Sequence, residues 1–104
     1  MDMWRQGDVI IRPLMKQVED KMDEKKDLVL AEGEVSGHRH RITKGEVQLK
    51  VNAMIGIMIL KVLSKQAILF HEEHEDIILP MGDYEVKTQR ELDWFSEEVR
   101  RVAD

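Results

Sequence analysis

The chain has 104 residues, a formal net charge of −5 and no cysteine. That length holds one domain with one hydrophobic core, and the missing cysteine excludes disulfides, thiolate catalysis and every sulfur-ligated zinc site. The acidic balance argues against general binding to nucleic-acid backbones, which takes clustered Lys and Arg.

Apolar residues make up 42% and charged residues 36%, the composition of a folded domain with a heavily charged surface. The longest apolar run, 51–63, contains Asn52 and Lys61 and is too short to span a bilayer. The opening MDMWRQGDV lacks the basic-then-apolar order of a signal peptide. The expected compartment is the cytoplasm, with no membrane partner.

In chain order, the pattern is mostly strands. GDVIIRPL (7–14) is rich in β-branched residues and follows a Gly-Asp turn signal, so it reads as a first strand with Pro13 near its end. Residues 15–27 are polar, with apolar side chains only at Met15, Val18 and Met22, a spacing that suits a short surface helix or a loop. DLVLAEGE (27–34), HRHRIT (38–43) and EVQLKV (46–51) read as successive strands. Residues 53–63 suggest a long central strand, bulged or bent at Gly56. QAILFH (66–71), DIILP (76–80) and DYEVKTQ (83–89) follow, with a break predicted at Pro80-Met81-Gly82.

The C-terminus changes period. Leu92, Phe95, Val99 and Val102 recur at helical spacing, and Thr88-x-x-Glu91 offers a capping box. These signals predict an amphipathic helix at about 91–103. The expected architecture is therefore a mainly β domain over residues 1–104, a small barrel or sandwich of about six to eight strands with one C-terminal α-helix. Because the run 53–63 is apolar apart from Lys61, a homo-oligomer, dimer or higher, is expected to cover part of it.

All four histidines fall in two short words, "GHRHR" (37–41) and "FHEEHE" (70–75). On a strand, positions i and i+2 share a face, so His38 and His40 point one way, Arg39 and Arg41 the other. Two imidazoles on one face are half a metal site, and neutral imidazole suits zinc, copper, nickel and iron. His71 and His74 supply the other half if the words meet. The candidate ligands of a divalent ion (Zn, Ni, Mn or Fe) are thus His38, His40, His71 and His74, with Glu46 or Glu73 as an extra ligand or base. An open coordination position would activate a bound water for hydrolysis.

Two other readings use the same residues. In one, a histidine acts as a metal-free general base, its ring oriented by the carboxylates of the second word. In the other, the words form a surface that binds a protein or nucleotide partner without catalysis. Solvated strand-end histidines are the plainest reading of either word alone, and the methionines of the apolar runs read as core filler.

The chain also resembles a group of small bacterial and phage-encoded proteins. The likeness is carried by "QGDVII", "GEVSGHRHR" (33–41), "HEEHEDIILPMGDYEVKTQRE" (71–91) and the terminal "RRVAD" (100–104). It covers nearly the whole chain outside 15–26 and 51–68, and implies no particular activity. Where that group usually has an aromatic residue after Gln-Arg-Glu, this chain has Leu92. A partial likeness to cupins lies in His38-x-His40 followed by Glu46, similar to a motif that binds metal inside a β-barrel. The second cupin motif runs proline, glycine, histidine; here His71 and His74 precede Pro80 and Gly82.

Overall fold

The computed structural model describes residues 3–15, 21–33, 37–54 and 56–89. Strands make up 72% of them. They are β1 (Trp4–Gln6), β2 (Val9–Pro13), β3 (Asp23–Glu24), β4 (Val29–Glu32), β5 (Arg39–Lys44), β6 (Val47–Asn52), β7 (Ile57–His71) and β8 (His74–Thr88). All join one sheet in the order β1-β2-β8-β7-β5-β4, with β6 also on β7 and β3 on β6.

The long β7–β8 hairpin is the spine. One edge of β7 carries two neighbours in succession, β6 along 57–62 and β5 along 68–70. Between them the β7–β8 register shifts from Val62 to Gln66. Extra residues on one strand bend and twist a sheet, and this one curls into a half-barrel of eight strands. At the bend Ser64 Oγ accepts the Glu46 N–H at 2.9 Å and donates to Gln66 O at 2.8 Å, so the interrupted ladder is repaired locally.

Period-two alternation decides what the concave face buries. Val9 and Ile11 of β2, Leu49 of β6, Leu60, Val62, Ala67 and Leu69 of β7, and Leu79, Tyr84 and Val86 of β8 form the core. Tyr84 stays buried because its hydroxyl donates to Pro80 O at 2.6 Å, while Trp4 meets its ring edge-on at 5.5 Å. Full burial of an aliphatic side chain stabilises by about 1.5–3 kcal/mol, so these positions hold the sheet together.

Several expectations need correction. The first predicted strand, 7–14, is β2, and an unpredicted strand, β1, precedes it; Gly7, at φ +57°, turns the chain between the two. The run 53–63 is a hairpin end followed by the start of β7, and β7 continues through the separately predicted 66–71. Pro80 and Gly82 do not break β8. Strand β2 pairs with β8 only from Tyr84 to Thr88, leaving Pro80 on an edge where its missing N–H costs nothing. Of 15–27, the described part contributes the short β3. Within 53–63, Ile59, Leu60 and Val62 are buried in the chain's own core, while Met54 and Leu63 are exposed. The helix predicted at about 91–103 lies outside the described residues.

Candidate functional site

The "HEEH" word is the tip of the β7–β8 hairpin. His71 and His74 are the closing pair, with Glu72 and Glu73 as the loop. Cross-strand partners share a face, so both rings sit on the same side. Ala67, Leu69 and His71 alternate inward along β7, which makes His71 the last inward position of the strand, 5% exposed.

Strand β5 meets β7 antiparallel with Arg41 opposite Phe70, and His40 consequently falls beside His71. His40 and Ile42 point inward, and His40 is 4% exposed. Arg39 and Arg41 lie on the other face. There Arg39 pairs with Glu32 at 3.1 Å, and Arg41 pairs with Glu72 while covering the Phe70 ring at 4.8 Å.

The two words therefore meet. Ring centroids stand 4.2 Å apart for His40 and His71, 4.8 Å for His71 and His74, and 6.0 Å for His40 and His74. His38 is edge-on to His71 at 6.0 Å. It is partly exposed, and its Nδ1 lies 2.7 Å from Glu73 Oε1. Glu73 thus belongs to the cluster. Glu46 does not: it sits in the β5–β6 turn, where its carbonyl accepts the N–H groups of Leu63 and Ser64, seven or more residues before His71. That is roughly 20 Å along a strand.

Residues outside the two words complete the site. Gln6, at the end of β1, is buried and its Oε1 lies 2.9 Å from His40 Nδ1. A Cβ on Gly7 would stand 2.7 Å from His74 Nε2, and one on Gly33 would stand 2.8 Å from His71 Nε2 and 2.7 Å from His38 O. Two glycines therefore open the space that two of the rings fill. The only sequence signal for them is their place in the turn-like words "QGD" and "EGE"; Gln6 carries none.

Burial, with the neighbouring His71 and His74 adding to it, lowers the His40 pKa to about 4, so this ring is neutral at pH 7. The Arg41 guanidinium holds the Glu72 carboxyl below its usual value. On the rim, then, Glu72 is a committed carboxylate.

Imidazole rings are of a kind that can ligate a cation. Three imidazoles on one tetrahedral ion have centroids roughly 5 Å apart, given metal–nitrogen bonds of about 2 Å, and the His40–His71–His74 triangle brackets that value. Among the described residues, however, no three such side chains already stand arranged around a common metal centre. The reason is visible: His71 Nδ1 accepts the Glu73 N–H at 3.0 Å, while the Nε2 atoms of His71 and His74 lie against Gly33 and Gly7.

Fold and site together define a half-barrel β domain with a histidine cluster at one hairpin tip. The family model of a domain of unknown function, DUF8820, matches residues 5–89, and the chain belongs to that family. No curated protein and no solved structure matches it.

Proposed function

We propose that the protein binds a divalent first-row metal ion (zinc, nickel, manganese or iron) through His40, His71 and His74, with His38 and Glu73 at its side. The observation that carries this reading is the convergence of all four imidazoles of the chain, three of them with ring centroids 4.2–6.0 Å apart. Imidazole is the commonest protein ligand for such ions. A second observation supports it: His40 and His38 each direct Nδ1 at a side-chain oxygen, of Gln6 and Glu73 respectively. Outer partners of this kind orient metal-binding histidines and raise their basicity. To take part, His71 turns its ring and gives up the Glu73 N–H. An ion with an open position would supply an acidic bound water, and the His38–Glu73 pair would stand ready to accept its proton in a hydrolysis.

The test is elemental mass spectrometry on untagged protein purified without added metal or chelator. About one equivalent per chain, lost in His40→Ala and His71→Ala and retained in Glu46→Ala, is the expected result. No metal, and no uptake of any added divalent ion, overturns the proposal.

One observation favours a second reading, metal-free acid–base chemistry. The 2.7 Å contact between His38 Nδ1 and Glu73 leaves the far nitrogen of an accessible ring free to move a proton. That reading predicts a turnover that chelators leave unchanged and Glu73→Gln lowers.

A further inference from the structure

Gln6 is 2% exposed, yet it is polar and carries no charge partner. Both protons of its carboxamide are used: Nε2 donates to Leu69 O at 3.1 Å and to Glu75 O at 2.9 Å. A flipped amide would press its oxygen against those two carbonyl oxygens, so the hydrogen-bond network determines which way it points. Its Oε1 must then be the atom 2.9 Å from His40 Nδ1. An amide oxygen only accepts. The proton between them sits on His40 Nδ1, and the lone pair of a neutral ring is left on Nε2.

His71 is held the opposite way. The Glu73 main-chain N–H donates to its Nδ1 at 3.0 Å, which places the ring proton on Nε2. Two neighbouring imidazoles, 4.2 Å apart, are thus set in opposite tautomers by two different partners.

We propose that Gln6 is the positioning residue of this site. It holds His40 as the Nδ1–H tautomer and fixes the lone pair of this buried ring on Nε2 before any ligand arrives, as Glu73 does for the partly exposed His38. The tautomers stand on the hydrogen bonds alone; the order in which an ion is captured rests on the metal-binding reading. His40 Nε2 captures the ion first. His71 joins only when its Nδ1 exchanges the Glu73 N–H for a proton of its own, so the His71–His74 turn adjusts as the ion is bound.

Long-range proton–nitrogen correlation spectra of histidine-labelled, metal-free protein at pH 8 report each ring's tautomer directly. The expected result is Nδ1–H for His40 and Nε2–H for His71. His40 found as Nε2–H overturns the proposal, whether or not the protein binds metal. If the tautomers are as stated and zinc does not bind, the metal reading falls and the positioning role of Gln6 stands. Gln6→Met removes the acceptor at similar volume. Its expected effects are a shift of His40 toward Nε2–H, an unchanged His71, and zinc affinity lowered roughly 10- to 100-fold. A folded Gln6→Met protein with His40 still Nδ1–H overturns the role of Gln6. Zinc bound while the Glu73 amide resonance stays unmoved overturns the proposed order of capture.

Discussion

His40 and His71 lie side by side across two strands, centroids 4.2 Å apart and planes tilted by 30°, both almost wholly buried. Two rings packed so closely cannot both be charged at low cost. Burial first, and this neighbour second, make His40 hard to charge.

The first expectation concerns pH. His40 has a folded pKa of about 4 against an ordinary 6.5, lowered first by burial and then by His71 and His74. Between those values the unfolded chain binds more protons than the folded one, so stability falls as pH falls. The effect of this group is absent above pH 6.5 and complete near pH 4, where it reaches about 3 kcal/mol. Urea unfolding of metal-free protein at pH 7.5, 5.5 and 4 measures it, and His40→Gln flattens the profile over that window.

A second prediction separates the two candidate carboxylates. Glu46 spends its backbone on the mid-β7 bend and lies away from the cluster, whereas Glu73 contacts His38 and holds His71 through its N–H. Glu46→Ala leaves zinc affinity unchanged in calorimetric titration. Glu73→Gln changes it, because a neutral amide is a weaker partner for His38 than a carboxylate.

The glycines offer a third test. Gly7 at φ +57° is in the left-handed region, where an added Cβ costs roughly 1–2 kcal/mol, and that Cβ also meets the His74 ring. His74 is exposed and swings aside. At Gly33 the added Cβ meets the backbone oxygen of His38 as well as His71, so the strand itself must shift, an overpacking cost of about 1–3 kcal/mol. Thermal unfolding reads the stability of Gly7→Ala and Gly33→Ala, and zinc titration reads the displaced rings. Both variants bind zinc more weakly than wild type.

Core packing gives the fourth. Leu60 and Leu69 are both fully buried on β7, and truncating either to alanine costs about 2–5 kcal/mol in denaturant unfolding. Leu69→Ala also loosens His71, two residues further on, so its zinc affinity falls while that of Leu60→Ala is kept. Met54, 97% exposed at the β6–β7 turn, is the control: Met54→Lys changes stability by less than about 0.5 kcal/mol.

Local signals read well wherever a local rule governs the outcome. The alternation of EVQLKV (46–51) suits a strand with one buried face, where Leu49 lies, and the i, i+2 rule sets His40 against Arg39 and Arg41 without reference to any contact. Punctuation reads less well. Gly7-Asp8 reads as a turn and is one, but the short strand before it carries no signal. Pro80 signals a break and lies inside β8, because proline is harmless on an edge and nothing local says which strand is an edge.

What the amino-acid order alone determined is a β domain of one core, with its four imidazoles confined to two words and the faces of the first word assigned by period two. Tertiary structure decided the rest. Gln6 and His40 are 34 residues apart, Gln6 and Leu69 are 63, and His38 and Glu73 are 35. Antiparallel register across the bend in β7 brings these pairs within hydrogen-bond reach. A shift of one residue in the β5–β7 register would turn His40 away from the face that carries His71. Register depends on how the whole sheet buries its core, so the partners of each histidine, and with them the nitrogen each one offers, belong to the fold and not to the words.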